Sequence, residues 1–384
     1  MATVFFVSFG LVVYHVIFYP IILFAATSLK PYGSRQIADI SDLPVVEMIV
    51  PAHNEQVVIS KKIRNIRALD YPREKLIVTV ALDGCSDGTE KVLADELAVQ
   101  AWENDRFTVV VYRQNIGKVA VLNELISRST AEIIALSDAS ALLDVSALKK
   151  AAQYFSDKRI GVVCGAYRLS TASSFAEHAY WRYQTYIKRL ESSFGSVMGA
   201  HGAFYLFRRS LWTSLPGDTI NDDFVLPMKI VAAGARAIYA PEIGVEELEV
   251  SRSTQDIRRR IRLGAGNVQQ LLMLSELADP RTGRTAFMFI SGKALRSIVP
   301  YALIAAFVSG LTCVAIGNPI LATCIAAVCG LVLVLPVFLP GASGILGLAR
   351  YIALSNIAAA LGGLVYLLGP KGAAWNVSRK GKRA

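Results

Sequence analysis

Two apolar regions bracket this chain, and they limit what the rest of it can become. Val4 to Ala26 carries no formal charge, only His15 as a titratable group, and is long enough to cross a bilayer as a helix. A second apolar region begins after Arg296 and runs almost to Pro370, broken at Gly317-Asn-Pro319 and at Leu339-Pro-Gly-Ala-Ser343. The breaks give three segments, roughly Ile298 to Ile316, Ile320 to Leu339 and Ile345 to Leu368. Hydrophobic residues make up 53% and charged residues 18%, a balance that suits a membrane protein.

The expected organisation follows from these runs: a membrane helix over 1–29, a polar domain over 44–275, a membrane region over 285–370 and a basic tail over 371–384. Lys30 and Arg35 follow the first apolar run and no basic residue precedes it. That asymmetry argues for an uncleaved anchor in the cell membrane that leaves the polar domain cytoplasmic. Three later crossings would then carry Lys371, Arg379, Lys380, Lys382 and Arg383 outside, against the positive-inside tendency. A re-entrant or interfacial last segment, or one crossing fewer, would remove the conflict. So few crossings leave a homo-oligomer as one way of completing a channel.

The formal charge of +10 gathers near the apolar runs and in Arg258 to Arg262, a distribution that suits anionic lipid and a phosphorylated substrate and gives no reason to expect nucleic acid. The five cysteines show no paired metal spacing: Cys85 and Cys164 fall in the polar domain, as expected of a reduced cytoplasmic one, and Cys313, Cys324 and Cys329 in the apolar runs.

Inside the polar domain, short apolar runs alternate with helical patterns. Val45 to Val50 reads as a strand ending on Pro51-Ala-His-Asn-Glu55, before an amphipathic helix running to about Leu69. Lys75 to Leu82 closes on Asp83-Gly-Cys-Ser-Asp87, and Phe107 to Tyr112 precedes Gln114-Asn-Ile-Gly-Lys118. Ala131 to Ser137 is a strand of the kind buried on both faces of a parallel sheet, and Asp138 stands at its carboxyl end. Ligands of open α/β sheets bind outside the carboxyl ends of the strands, where a carboxylate can meet a metal or a phosphate. Taken alone, Asp138 reads equally well as a solvated loop residue or helix cap. Lys118, after a glycine and at a helix start, is placed to meet a diphosphate, although a lone Gly-Lys is no P-loop. The alternation is that of a doubly wound nucleotide-binding sheet.

In order and spacing, Pro51-Ala-His-Asn-Glu55, Asp83-Gly-Cys-Ser-Asp87, Gly117-Lys118 with Leu122-Asn123, and Ser137-Asp-Ala-Ser140 resemble the nucleotide-sugar half of family-2 glycosyltransferases with a GT-A fold. The resemblance continues through Gly199-Ala-His-Gly-Ala-Phe-Tyr205, Arg208-Arg-Ser, Asn221-Asp-Asp-Phe-Val-Leu226 and Arg258 to Gln269. It implies an α/β GT-A domain carried on transmembrane helices. It also implies that Glu55 and Asp83 contact the nucleoside beside Pro51, Asp83 by accepting the imide proton of a uracil. Asp138 resembles the first aspartate of the family's DxD motif, which holds Mg2+ or Mn2+ on the donor diphosphate. Ser140 occupies the place of the second aspartate, a departure that would weaken the hold on the metal.

Asn221-Asp222-Asp223 resembles the family's TED motif. By that resemblance Asp223 is the base that takes the acceptor's proton and Asp222 orients the acceptor, with an inverting outcome. A helix N-cap is the structural alternative for the pair. His201 is a minor candidate for the acceptor pocket, against a packed loop residue. Arg259 and Leu263 replace the glutamine and tryptophan of the QxxRW motif, while Arg262 keeps its arginine and can neutralise the leaving diphosphate. The missing tryptophan puts processive synthesis in doubt.

Ser174 to Val197 reads as an interfacial amphipathic helix or a core stripe, and Ala286 to Ser297 as a second interfacial helix. The implied activity is transfer of a sugar from a nucleotide diphosphate, UDP by expectation, to a glycan or lipid-linked acceptor in cell-surface polysaccharide synthesis. Single-sugar transfer to a polyisoprenyl carrier and a catalytically inactive nucleotide-sugar-binding scaffold are the alternatives.

Overall fold

The computed structural model describes residues 1–29, 42–99, 106–168, 175–248, 253–317 and 344–369. At the N-terminus, α1 (Ala2–Val13) and α2 (Tyr19–Leu29) are joined through a π-helical turn. Then β1 (Val46–Ala52) leads into α3 (Ile59–Arg67), β2 (Leu76–Asp83) into α4 (Thr89–Val99), and β3 (Phe107–Tyr112) into α5 (Lys118–Arg128). β4 (Ile133–Ser137) is followed by β5 (Ala141–Leu143), α6 (Ala147–Tyr154) and β6 (Ile160–Arg168). α7 (Phe175–Phe194), β7 (Phe204–Arg208), α8 (Asp222–Ala232) and β8 (Arg236–Glu247) come next. The chain continues through α9 (Ser253–Met273), α10 (Arg284–Met288), α11 (Leu295–Gly317) and α12 (Gly344–Leu368).

Two compact units emerge, one holding the sheet with α3 to α6 and α8, the other holding α1, α2, α7 and α9 to α12. In the first, the eight strands lie in the order β3-β2-β1-β4-β7-β6-β8-β5. β3, β2, β1 and β4 are mutually parallel, as the alternating pattern predicts. β7 then runs antiparallel to both β4 and β6, so the sheet as a whole is mixed. β1, β2 and β4 are apolar along nearly their whole length because helices cover both faces. Val46, Met48, Val78, Val80, Ile133 and Ala135 belong to the core beneath the site.

Among the described residues of the helical unit, three runs are long and apolar enough to cross a membrane: Ala2–Ser28, Arg284–Gly317 and Leu346–Leu368. The stretch from Ala286 to Ser297 is the beginning of the second run, continuous through a π-turn at Phe289–Ala294, and does not form a separate interfacial helix. Met288, Phe289 and Leu295 keep helical backbone angles, so no break separates the stretch from α11. The expected segment Ile320 to Leu339 and the basic tail lie outside the described residues. α7 packs among these helices: Tyr19 Oη donates to Oε1 of the buried Glu191 at 2.9 Å, and Arg296 donates to Gln184 at 3.1 Å. Arg260 lies over the Tyr351 ring at 4.1 Å.

Candidate active site

The site is assembled at the carboxyl ends of β1, β2 and β4. Past β1, Asn54 Oδ1 accepts from Ser86 N at 2.8 Å, and the Glu55 amide donates to Thr89 Oγ1 at 2.8 Å. His53 Nδ1 lies 2.6 Å from the Asp83 carbonyl oxygen. These bonds tie the ends of β1 and β2 together, with Pro51 still inside β1 opposite Ala81.

Asp83 is 4% exposed, and its carboxylate oxygens accept from Ile116 N at 2.7 Å and Gly117 N at 2.9 Å. The carboxylate therefore shapes the turn that delivers Lys118. Gly84 lies under that turn with φ +60°, and a Cβ on it would sit 2.3 Å from Asn115 N, so only glycine fits there.

Lys118 opens α5 and points at the end of β4. Its Nζ donates to Asp138 Oδ1 at 2.9 Å and lies 3.6 Å from Asp222 Oδ2. Burial opposes its charge, but Asp138 and Asp222 outweigh burial and hold the ammonium above its ordinary value. The sequence paired this lysine with a diphosphate. In the structure its partners are carboxylates.

Asp222 and Asp223 begin α8, in the first turn that the N-cap alternative also predicts, where the helix dipole favours negative charge. Asn221 is the N-cap residue itself. Asp223 Oδ2 accepts from Gly202 N at 3.2 Å, and its carbonyl accepts from Ala200 N at 3.0 Å. A Cβ on Gly202 would sit 3.3 Å from Asp223 Oδ2 and 3.6 Å from Asp138 Oδ2. The bare backbone at Gly202 thus leaves a cradle between the two carboxylates. His201 flanks it with its ring 5.6 Å from that of Tyr167. Beneath lies Tyr205, whose phenol is raised by burial first and then by Asp222, Asp223 and Asp138.

Among the expected site residues, Asp138, Asp222, Asp223, Lys118 and His201 come together, while Asp83 shapes the approach and Pro51 and Glu55 stand at the neighbouring strand end. Ser140 is 8% exposed, and its carbonyl accepts from Leu248 N at 3.0 Å. Among the described residues no three His, Cys, Asp or Glu side chains gather into a metal cage. Asp138 nonetheless fits a hard cation, because its Oδ2 faces the open cradle and a diphosphate can complete the shell with its own oxygens. Arg259 and Arg262 lie on α9 in the helical unit, Arg259 exposed and Arg262 half-buried.

Lys62 went unread in the sequence. It is wholly buried on α3, and Nζ donates to Ser137 Oγ at 2.7 Å and Ala141 O at 2.5 Å. Burial lowers its ammonium to about 7, against the pull of Asp138 and Glu247. The signal was its place: Ile59, Lys62, Ile63 and Ile66 form one helical stripe.

A parallel four-strand half joined to an antiparallel return, with carboxylates at the strand ends, is a glycosyltransferase fold of the GT-A type. The model described as "Glycosyltransferase like family 2" matches residues 44–266, and the chain belongs to that family. Poly-beta-1,6-N-acetyl-D-glucosamine synthase of Staphylococcus aureus is 26% identical over 245 residues, 59% of this chain and 58% of that protein. An N-acetylglucosaminyltransferase of Rhizobium meliloti is 25% identical over 261 residues, 63% of this chain and 60% of that one. The chain therefore matches less than two thirds of these relatives' length. A mannosyltransferase, PcManGT from Pyrobaculum calidifontis, solved in complex with GDP-Man and Mn2+, shares the fold. Its TM-score is 0.72 at 24% identity, over 94% of this chain and 99% of that one.

Proposed function

We propose that this glycosyltransferase moves a sugar, with inversion, from a nucleotide diphosphate to a hydroxyl of a glycan or lipid-linked acceptor at the cytoplasmic face of the cell membrane. UDP is the expected nucleotide, and cell-surface polysaccharide the expected product. The observation that carries the reading is the open cradle at Gly202 between Asp223 and the Lys118-paired Asp138.

In this reading Asp223 removes the acceptor hydroxyl proton as the oxygen attacks the anomeric carbon, and the nucleotide diphosphate leaves from the opposite face. Asp222 orients the acceptor. The Asp83 oxygens keep lone pairs beyond the two amides they hold, which suits acceptance of a base N–H. Glu55, with Pro51 beside it, lies on the nucleoside side. Magnesium or manganese held by Asp138 would supply charge neutralisation at the diphosphate oxygens.

Leu263, in place of a tryptophan, favours a second reading in which one sugar is added to a lipid carrier. The size of the radiolabelled product separates the two. The first reading is tested by a nucleotide-release screen of purified protein against UDP-, GDP- and dTDP-sugars with a divalent cation. Release with one donor supports it, and no release with any donor refutes it.

A further inference from the structure

We propose that Lys62 is a positioning residue for the donor site: its amine spans the Asp138-Ala139-Ser140 turn from Ser137 to Ala141 and thereby sets where the Asp138 carboxylate stands. The inference rests on the reading of Asp138 as a donor-diphosphate residue. Its own support is geometric.

β4 ends at Ser137 and β5 begins at Ala141, so the turn between them has both ends on Lys62. Within the turn, Ala141 N closes onto Asp138 O at 3.2 Å, and Asp138 N donates to Ala203 O at 3.1 Å. Asn65, three residues on along the same helix face, gives Leu143 a matched pair of bonds: Nδ2 donates to its carbonyl and Oδ1 accepts from its amide, each at 2.8 Å. α3 therefore acts as a splint along Ala141 to Leu143, with Lys62 at the catalytic end.

The amine stands where an aliphatic residue would pack more cheaply, on the stripe shared with Ile59, Ile63 and Ile66. Its hydrogen-bond partners are a hydroxyl and a carbonyl, neither of them charged, and burying an amine among such partners is costly. The two bonds hold the amine between the two ends of the turn, Ser137 Oγ on one side and Ala141 O on the other. A side chain kept in so unfavourable a place fits a demand of the turn better than a demand of the core. Ser140 sharpens that demand: with no second aspartate in the motif, Asp138 is its one carboxylate on the diphosphate side.

The test compares full-length Lys62→Met, Lys62→Gln, Ser137→Ala and Asp138→Asn with the unaltered protein. Donor and acceptor KM are measured separately. Binding of whichever of UDP, GDP or dTDP the unaltered protein accepts is measured with Mn2+ by calorimetry. Lys62→Met is expected to raise donor KM about tenfold with acceptor KM within about twofold, since an ångström of misplacement costs up to about a hundredfold. Lys62→Gln, which keeps two donors, should recover part of that loss, and Ser137→Ala should shift donor KM the same way by about threefold.

An unmoved donor KM in Lys62→Met beside an inactive Asp138→Asn would overturn the inference and leave the reading of the site intact. So would an equal loss on both substrates that glutamine does not relieve, which marks a merely structural lysine. Full activity in Asp138→Asn would instead overturn the reading itself. Should Lys62→Met fail to fold, Ser137→Ala decides, and an unchanged donor KM there counts against the clamp.

Discussion

Replacing Lys118 by methionine keeps most of the side chain's length and removes one charge from among three carboxylates. Its ammonium sits 2.9 Å from Asp138 Oδ1 and 3.6 Å from Asp222 Oδ2. At 2.9 Å the Coulomb attraction is about 1.4 kcal/mol at a dielectric of 80 and about 6 kcal/mol at 20. The Lys118 side chain is 33% exposed and that of Asp138 35%, so the value lies toward the watery limit. After desolvation and side-chain entropy, a net of about 1 kcal/mol is reasonable for the pair with Asp138. A divalent cation on the Oδ2 side of Asp138 would share the carboxylate with that ammonium and be repelled by it. Lys118→Met should therefore lower the half-activating Mn2+ concentration by about fivefold, at 1.4 kcal/mol per decade. The maximal rate should fall by about a hundred- to a thousandfold, because a fixed positive charge facing the leaving diphosphate is lost. The assay is nucleotide release against Mn2+ concentration at saturating donor. A rate within threefold of the unaltered protein and an unmoved Mn2+ midpoint would show that the pair bears on neither metal nor catalysis.

Asp223→Asn should reduce transfer by about a hundred- to ten-thousandfold while UDP binding by calorimetry stays within about threefold; persistent transfer would remove Asp223 as the base. Gly202→Ala places a methyl 3.3 Å from Asp223 Oδ2 and 3.6 Å from Asp138 Oδ2. It should lower the rate by about tenfold with little change in melting temperature, and an unchanged rate would mean that the cradle holds no reactant. Lys62 carries a pH signature in stability: its folded-state value is about 7, below that of an unfolded lysine. Between about pH 7 and 10.5 the unfolded chain binds the extra proton, so stability rises with pH there, by at most about 1.4 kcal/mol per unit. Melting curves of Lys62→Met should lose that slope across the window.

The parts of this molecule that could be read from residues alone were those fixed by local pattern. Apolar runs bounded by polar turns gave β1 to β4, because strands covered on both faces leave little choice of composition. Pattern put Asp138 at a strand end and Asp222 and Asp223 before a helix, and only the family resemblance gave them roles. The antiparallel return through β7 was not legible, since its pairing with β4 and β6 depends on partners distant along the chain. Partners were harder still. Asp83 and Lys118 also hold protein groups that the sequence did not announce, because spacing names a residue's neighbourhood and leaves open which groups share its charge. Lys62 is the sharpest case. A lysine beside Lys61 on an amphipathic helix reads as solvated, and only its coincidence with the 59, 63 and 66 stripe contradicts that. The same coincidence argues for its role: a core without need of an amine would hold an apolar residue at 62, so the need has to come from Ser137 and Ala141. Those two residues frame the turn that carries Asp138.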